Sequence, residues 1–274
     1  MGKQLKAPVT IAIGLLCENS IIAASDSQMT MGGNKDLDAE KITAIKFKGS
    51  SALVAQAGGV AMAARALGFM QDLASGSEIS DEWTVANTAQ EAIRQLRELM
   101  ARQQNGCTQA ELNEYIDDSD LGFGFLVAHY FRDSPFVFSI NLRNGVASVA
   151  ASARSKYYAA IGSGSALAMY LLKNYTKPQM PFNLGYGLVS YVVEEVKIND
   201  TWCSGSTSVA TLSPGDDEPD VIHPAIIHEV GQAMVSINQS ICKERNVSVV
   251  NEIKAISGEF SRRRRKREAQ NPKN

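Results

Sequence analysis

The sequence has 274 residues, of which 45% are hydrophobic, and a formal net charge of −2. This length suits one large domain or two small ones, and the apolar content is enough for a buried core. Six positive charges fall in the single run 262–267, so the rest of the chain is mildly acidic. We therefore expect neither a nucleic-acid surface nor, because no long apolar stretch is present, a membrane protein.

The cysteines and histidines argue against disulfide or metal chemistry. Four cysteines are widely spaced and include no CxxC pair, and the histidines are too scattered for a zinc site. Free thiols favour a reducing compartment, and the N-terminal segment has no apolar signal region. The sequence thus predicts a cytoplasmic protein, and it points to no metal or cofactor.

Four strands and two helices are predicted in the N-terminal part of the chain. Short apolar runs separated by polar turns predict strands over residues 10–16, 21–24, 42–47 and 52–57. After the Gly58-Gly59 break, apolar residues recur every three or four positions, as they do on one face of a helix. This spacing predicts helices over residues 60–73 and 85–103.

The remainder of the chain continues this alternation of strands and helices. The polar segment 105–120 is predicted to be a loop with a helical turn. Further strands are predicted over residues 123–131, 136–141, 146–150, 157–161 and 207–212, and further helices over residues 163–175 and 184–198. A charged loop over 216–220 and a helix within 224–243 complete the pattern.

Groups of antiparallel strands that alternate with helix pairs predict an α+β fold. The expected architecture is a four-layer αββα sandwich, in which two antiparallel sheets pack face to face and helix pairs cover the outside. We expect one domain over residues 10–260, preceded by a leader or propeptide over residues 1–9. The charged segment 261–274 is predicted to be a basic, disordered tail.

Three residues near the start of the chain have types and spacings that suggest chemistry. Thr10 opens the first predicted strand, Asp26 follows the second, and Lys41 precedes the third. In this order the segments resemble the proteasome β-subunit-like peptidase family, within the N-terminal-nucleophile hydrolases. The resemblance covers roughly residues 10–208, and it implies that Thr10 is the nucleophile, with Asp26 and Lys41 beside it.

Later segments extend the resemblance to the rest of the site. Gly58 stands where the family has a backbone oxyanion donor, and Ser163 lies in a similar Gly-Ser-Gly turn. Asp200 and Ser204 correspond to the Asp and Ser that complete the family's site, with one extra residue between them here. The positions at which family members line the substrate's side-chain pocket are held by Met29, Gln56 and Val60.

The residue before the expected nucleophile departs from the family pattern. Val9 stands before Thr10, where the family usually has Gly. A β-branched side chain restricts the backbone conformations of the bond that must be cleaved to free Thr10. This departure bears on the unmasking of Thr10 rather than on the residues that follow it.

The chemistry of an N-terminal threonine explains why the three residues belong together. A threonine hydroxyl is a weak nucleophile and needs a base within hydrogen-bond reach. An α-amino group has a pKa of roughly 7.7–8.0, so Thr10 freed from residues 1–9 would supply that base itself. Lys41 would lower the pKa of the hydroxyl and the amine, and Asp26 would hold Lys41. Taken singly, the three are more simply a strand threonine, a turn aspartate and a surface lysine.

The combined pattern predicts a threonine-type endopeptidase that is made as a zymogen and acts once residues 1–9 are removed. The resemblance implies peptide or unfolded protein substrates, a homo-oligomeric ring that can stack, and an ATP-dependent unfoldase as a partner. Two alternatives stay open. One is a catalytically silent, ring-forming subunit that keeps its leader. The other is an amidase of the same superfamily that acts on a small acylated molecule.

Overall fold

The computed structural model describes residues 10–31, 34–36, 39–118, 122–143, 146–151, 157–222 and 227–236. The chain forms two compact units, Met1–Gln232 and Ala233–Asn274, and the described residues lie almost wholly in the first. The expected leader 1–9 and the basic tail 261–274 lie outside the described residues. The division into leader, domain and tail therefore stays a prediction.

The described residues form twelve strands and six helices. The strands are β1 (Ile11–Leu16), β2 (Ile21–Asp26), β3 (Met29–Met31), β4 (Asn34–Asp36), β5 (Ile42–Phe47), β6 (Ser50–Gly58), β7 (Phe123–Phe131), β8 (Ser134–Arg143), β9 (Val146–Ala151), β10 (Tyr158–Gly162), β11 (Thr207–Leu212) and β12 (Asp220–Ile222). The helices are α1 (Val60–Ala74), α2 (Thr84–Gln103), α3 (Gln109–Asp118), α4 (Ser165–Tyr175), α5 (Phe182–Asn199) and α6 (227–236).

Two five-stranded antiparallel sheets form the centre of the fold. The first sheet has the strand order β10-β1-β2-β11-β12, and the second has the order β5-β6-β7-β8-β9. In the first sheet, β1 lies between β10 and β2, so that Ala12 is opposite both Ile161 and Ser25. Strands β3 and β4 form a separate hairpin. Because β1 is paired on both sides, the residue that precedes it is held from two directions.

Small and branched apolar side chains fill the space between the two sheets. Ala12 and Ala23 of the first sheet cluster with Leu126 and Val137 of the second. At Gly14, a Cβ atom would lie only 2.6 Å from Val137 Cγ2 and 2.8 Å from Leu126 Cδ2. The sheets are therefore packed so closely at this point that only a glycine fits.

Helices cover the outer faces of both sheets. Met70 of α1 and Leu96 of α2 belong to an apolar cluster with side chains of the second sheet. Helix α5 covers the first sheet, because a Cβ at its Gly185 would overlap Cys17 Sγ and lie 3.3 Å from Leu15 Cδ2. Helix α4 packs beside α5 and against β10. Among the described helices, none combines the length and the apolar surface of a membrane span.

The predicted fold class is confirmed: two antiparallel sheets face each other and helices lie outside them. The main predicted strands and helices are present, with ends that differ by a few residues. The segment 216–220, expected to be a loop, leads into the short strand β12, and the hairpin of β3 and β4 was not predicted. Strands of three residues are too short to show an alternating pattern.

The segment 105–120, predicted to be a loop with a helical turn, instead contains the ten-residue helix α3 over most of its length. The Glu111 carboxylate accepts hydrogen bonds from Thr108 N and from Thr108 Oγ1, both at 2.8 Å, and Thr108 Oγ1 accepts one from Glu111 N at 3.3 Å. This is a capping box, whose sequence signature is Thr-x-x-Glu. Leu112 is fully buried and attaches the helix to the core.

Helix α5 contains a buried ion pair, Glu194 with Lys197, and the Glu194 carboxylate also accepts hydrogen bonds from β11 and α6. Glu194 is 3% exposed. Its carboxylate accepts hydrogen bonds from Lys197 Nζ at 2.8 Å, from Thr207 Oγ1 at 2.8 Å and from Gln232 Nε2 at 3.0 Å. Burial raises the pKa of Glu194, but the hydrogen bonds and the Lys197 charge outweigh it and lower the pKa below the usual 4.5. The anion is therefore the form that the fold stabilises.

Replacing Glu194 with Gln should lower the free energy of unfolding at neutral pH by about 3 kcal/mol, because Lys197 would keep its buried charge without a counter-charge. Urea unfolding measures this change. The matched control is Glu78→Gln, since Glu78 pairs with Lys48 at 2.8 Å but both side chains are exposed, at 66% and 68%. An exposed pair contributes little. Equal losses of unfolding free energy in Glu194→Gln and Glu78→Gln would contradict the stabilising role of the buried ion pair.

The same pair predicts how the difference between wild type and Glu194→Gln depends on pH. A carboxylate with a lowered pKa contributes its stability above the unfolded-state value, here 4.5, and loses it as pH falls through the folded-state value. The unfolding free energies of the two proteins should therefore approach each other in acid. A difference that stays constant from neutral pH to well below 4.5 would contradict this.

Candidate active site

The ends of three strands bring Thr10, Asp26 and Lys41 together. Thr10 directly precedes β1, and Asp26 is the last residue of the neighbouring strand β2. Lys41 directly precedes β5, which begins the second sheet. The three side chains therefore meet where one sheet faces the other.

The Thr10 hydroxyl contacts both charged groups. Thr10 Oγ1 donates a hydrogen bond to Asp26 Oδ1, and Lys41 Nζ donates one to Thr10 Oγ1. Lys41 Nζ also lies 2.9 Å from Asp26 Oδ1, as an ion pair. The exposed fractions of Thr10, Asp26 and Lys41 are 1%, 0% and 3%. The hydroxyl oxygen thus lies between a buried cation and a buried anion.

Two backbone groups fix the Asp26 carboxylate in place. Oδ1 accepts a hydrogen bond from Ile11 N at 3.1 Å, and Oδ2 accepts one from Ser204 N at 3.1 Å. With the contacts to Thr10 and Lys41, both carboxylate oxygens are occupied. The side chain therefore links the start of β1 to the loop that precedes β11.

Burial lowers the pKa of Lys41 from its ordinary 10.5, and the Asp26 carboxylate opposes this change. Desolvation penalises the charged form of the amine, whereas the ion pair favours it. The lysine is consequently easier to deprotonate than a surface lysine. A group of this kind can both stabilise negative charge on the Thr10 oxygen and exchange a proton with it.

The Gly162-Ser163-Gly164 turn touches the backbone of Thr10. Ser163 is half-buried, and its Oγ donates a hydrogen bond to the Thr10 carbonyl oxygen at 3.4 Å. Gly162 has a φ of 101°, which favours glycine. A Cβ at this position would overlap the Thr10 carbonyl oxygen and lie 2.8 Å from the carbonyl carbon. The turn therefore sets the position of Thr10.

Ser204 contacts the central Asp26 carboxylate through its backbone and not through its hydroxyl. Ser204 Oγ donates to the side-chain oxygen of Gln28, and only the Ser204 backbone N–H reaches the central carboxylate. Asp200 accepts hydrogen bonds from Trp202 N at 3.0 Å and from Cys203 Sγ at 3.5 Å. The buried Cys203 is thus the neighbour of Asp200.

The environment of Cys203 keeps its thiol protonated. Burial and, to a smaller extent, the charge of Asp26 raise its pKa to about 12. Sequence reasoning missed Cys203 and Gln28 as members of the site. The available signal was the spacing from Asp200. Cys203 follows it by three positions, as the corresponding Ser does in the family that the sequence resembles, whereas Ser204 follows it by four.

Three of the residues expected to contact substrate, Gln56, Gly58 and Val60, lie at the end of β6 and the start of α1. Gly58 is the last residue of β6, with a φ of 103°, and Val60 begins α1 and is half-buried. Gln56 is 8% exposed, and its side-chain oxygen has no hydrogen-bond partner among the described residues. Its backbone N–H donates to the Lys41 carbonyl at 3.0 Å, which connects this segment to the site. Met29 lies in β3, and its side chain is outside the described part.

No metal site is evident in the part of the chain that the structure describes. No group of three or more His, Cys, Asp or Glu side chains has a suitable arrangement there. The position beside Asp26 Oδ1, where a cation would bind, is taken by Lys41 Nζ. The arrangement of the three side chains suits proton transfer and nucleophilic attack by a hydroxyl.

Solved structures of Anbu proteins share this fold. Anbu (ancestral beta-subunit) from Yersinia bercovieri has a TM-score of 0.66 at 11% identity, over 85% of this chain and 96% of that one. The Anbu complex from Pseudomonas aeruginosa, a helical assembly, has a TM-score of 0.68 at 12% identity, over 85% of this chain and 96% of that one. Anbu from Hyphomicrobium sp. strain MC1 has a TM-score of 0.60 at 14% identity, over 85% of this chain and 97% of that one. These identities show the fold alone.

The sequence-based assignment to the proteasome β-subunit-like peptidase family is wrong. No protein-family model and no curated protein matches the sequence, and the solved structures that resemble it include Anbu proteins. The likeness holds at the coarser level of a proteasome-like fold. The residues that carried the resemblance are few and lie at strand ends and turns, where this fold favours Gly, Ser and Asp. Residues of these types therefore do not distinguish between families that share this layered fold.

Replacing Gly162 with Ala should lower the free energy of unfolding by more than about 3 kcal/mol, because the new Cβ would overlap the Thr10 carbonyl oxygen. The matched control is Gly76→Ala. Gly76 also has a positive φ, 79°, but its new Cβ would meet no described atom within 4 Å. Backbone strain alone costs about 1–2 kcal/mol. Denaturant unfolding of the two variants separates the effect of atomic overlap from the effect of backbone strain. Equal losses of unfolding free energy would contradict the close contact between Gly162 and Thr10.

Proposed function

We propose that this chain is an N-terminal-nucleophile hydrolase that cleaves peptide bonds through an acyl-enzyme on Thr10. The observation that carries the proposal is the buried contact of the Thr10 hydroxyl with both Asp26 and Lys41. A threonine with a purely structural role does not require a cation and an anion at the same oxygen, and burying two charges is costly. A nucleophile does require such partners.

The proposed reaction begins with cleavage of the bond between residues 9 and 10. The new α-amine of Thr10 accepts the hydroxyl proton as Oγ1 attacks the substrate carbonyl carbon. Lys41 stabilises the negative charge on Oγ1, and Asp26 holds Lys41 in place. The backbone N–H of Gly58 is proposed to bind the oxyanion. The α-amine then protonates the leaving amine, and a water molecule hydrolyses the ester on Thr10.

Peptides or unfolded proteins are the proposed substrates, and the proposed form of the protein is a homo-oligomeric assembly made from a zymogen. The Anbu complex from Pseudomonas aeruginosa forms a helical assembly, which supports self-association for a chain with this fold. Tyr170 of α4 and Leu184 of α5 are each 64% exposed and add apolar surface for subunit contacts. A cytoplasmic location and an ATP-dependent unfoldase are further parts of the proposal.

The nucleophile is tested with Thr10→Ala and Thr10→Ser. Mass spectrometry of the purified wild type should find chains that begin at Thr10, and a fluorogenic peptide should be hydrolysed. Thr10→Ala should lose hydrolysis, because it has no hydroxyl, whereas Thr10→Ser should retain part of it. A peptide with an electrophilic boronate end should protect wild type, and not Thr10→Ala, against thermal unfolding. Full activity in chains that keep residues 1–9 would falsify the assignment.

The role of Lys41 is tested with Lys41→Met, which should lower kcat by about 100-fold or more, because it removes the cation that stabilises the Thr10 oxygen. The control is Lys46→Met on the strand that Lys41 precedes, since Lys46 is 61% exposed and pairs with Glu218 at the surface. Steady-state kinetics at saturating peptide measures both variants. Similar rates for Lys41→Met and wild type would contradict the mechanism.

These measurements also separate the alternatives. A catalytically silent subunit would keep residues 1–9 and show no hydrolysis in any variant, yet would still assemble. An amidase would process Thr10 but would ignore peptides and cleave a small acylated molecule. Electron microscopy of the purified protein records whether it forms rings, stacked rings or helices.

A further inference from the structure

Cys203 lies between Asp200 and Ser163, in a chain of contacts that ends at Thr10. Cys203 Sγ donates to Asp200 Oδ2 at 3.5 Å and lies 3.6 Å from Ser163 Oγ. Both distances suit hydrogen bonds that involve sulphur. Ser163 Oγ in turn lies 3.4 Å from the Thr10 carbonyl oxygen. The thiol is therefore two contacts away from the nucleophilic residue.

The surroundings leave the Cys203 side chain little freedom. Cys203 is 1% exposed, and its backbone N–H donates to the Asp200 carbonyl at 3.0 Å. A Cβ at Gly164 would lie 3.4 Å from Cys203 Sγ and would overlap Val196. The residue after Ser163 thus packs directly on the thiol. A fixed thiol can hold a neighbouring hydroxyl in one orientation, whereas a mobile one cannot.

The neighbouring residue Ser204 does not link Asp200 to Ser163, because its polar groups bind other residues. Its hydroxyl donates to the side-chain oxygen of Gln28, and its backbone N–H donates to Asp26 at 3.1 Å. The Ser204 hydroxyl therefore supports the segment that follows β2. The contact between Asp200 and the Ser163 turn is instead made by Cys203, the residue before Ser204.

We propose that Cys203 is a positioning residue, whose thiol links Asp200 to Ser163 and so holds the Ser163 hydroxyl beside Thr10. This inference rests on the proposed hydrolase function only in its kinetic consequence, because the contacts themselves are properties of the fold. The thiol is neutral at working pH, since burial raises the pKa of Cys203 to about 12. A neutral thiol can donate its one proton to Asp200 while its sulphur accepts from Ser163. The single hydroxyl proton of Ser163 is then shared between Cys203 Sγ and the Thr10 carbonyl oxygen.

The kinetic test compares Cys203→Ser, Cys203→Ala and a control, Cys107→Ala. Cys107 is half-buried and lies in the loop before α3. Cys203→Ala should lower kcat by about tenfold, the worth of one hydrogen bond, with KM nearly unchanged. Cys203→Ser should restore most of kcat, because a hydroxyl keeps both the donor and the acceptor. If Cys203 only filled space, Ala would be at least as good as Ser, and that result would overturn the proposal.

A spectroscopic test reads the contacts without relying on turnover. The S–H stretching band of Cys203 is obtained as the Raman difference between wild type and Cys203→Ser. The band should shift in Asp200→Asn and in Ser163→Ala, because each removes a partner of the thiol. An unchanged band in both variants would overturn the proposal whether or not the protein hydrolyses peptides. A shifted band in a protein without hydrolysis would support the contacts and count against the proposed function.

Discussion

The Asp26 carboxylate is the interaction on which the rest of the site depends. It accepts hydrogen bonds from the Thr10 hydroxyl and the Lys41 ammonium, and from the backbone N–H groups of Ile11 and Ser204. A lysine as deeply buried as Lys41 is held in its charged form by a partner of this kind. One anion therefore favours the charged form of the lysine and fixes the direction of the hydroxyl and the position of two chain segments.

The layered fold could be predicted because its causes are local in the sequence. Short apolar runs between polar turns define the strands, and the three-to-four spacing of Ala, Leu and Met defines α1 and α2. The meeting of Thr10, Asp26 and Lys41 could also be anticipated, because each residue stands at the end of a strand. Strand ends in facing sheets converge, so residue type and order were sufficient to suggest the cluster.

The details that escaped prediction depend on contacts between segments far apart in the chain. Nothing near Cys203 in the sequence reveals that the turn at Ser163 will pack on it, and nothing near Ser204 reveals that Gln28 will accept its proton. The family assignment from sequence failed for a related reason. Glycines and serines at turns are required by the layers themselves, so they identify the architecture and not the lineage.

The contact between Gly162 and Thr10 has a mechanical consequence. The same turn starts α4, whose first residue follows two positions after Ser163, and Gly164 is wedged against Val196 of α5. The outer helices are thus joined to the carbonyl of the first strand by atoms in direct contact. Because these atoms are in direct contact, a shift of α4, whose Tyr170 projects into solvent, would also move the Thr10 carbonyl. The position of Thr10 is therefore coupled to the position of the helices that cover the sheet.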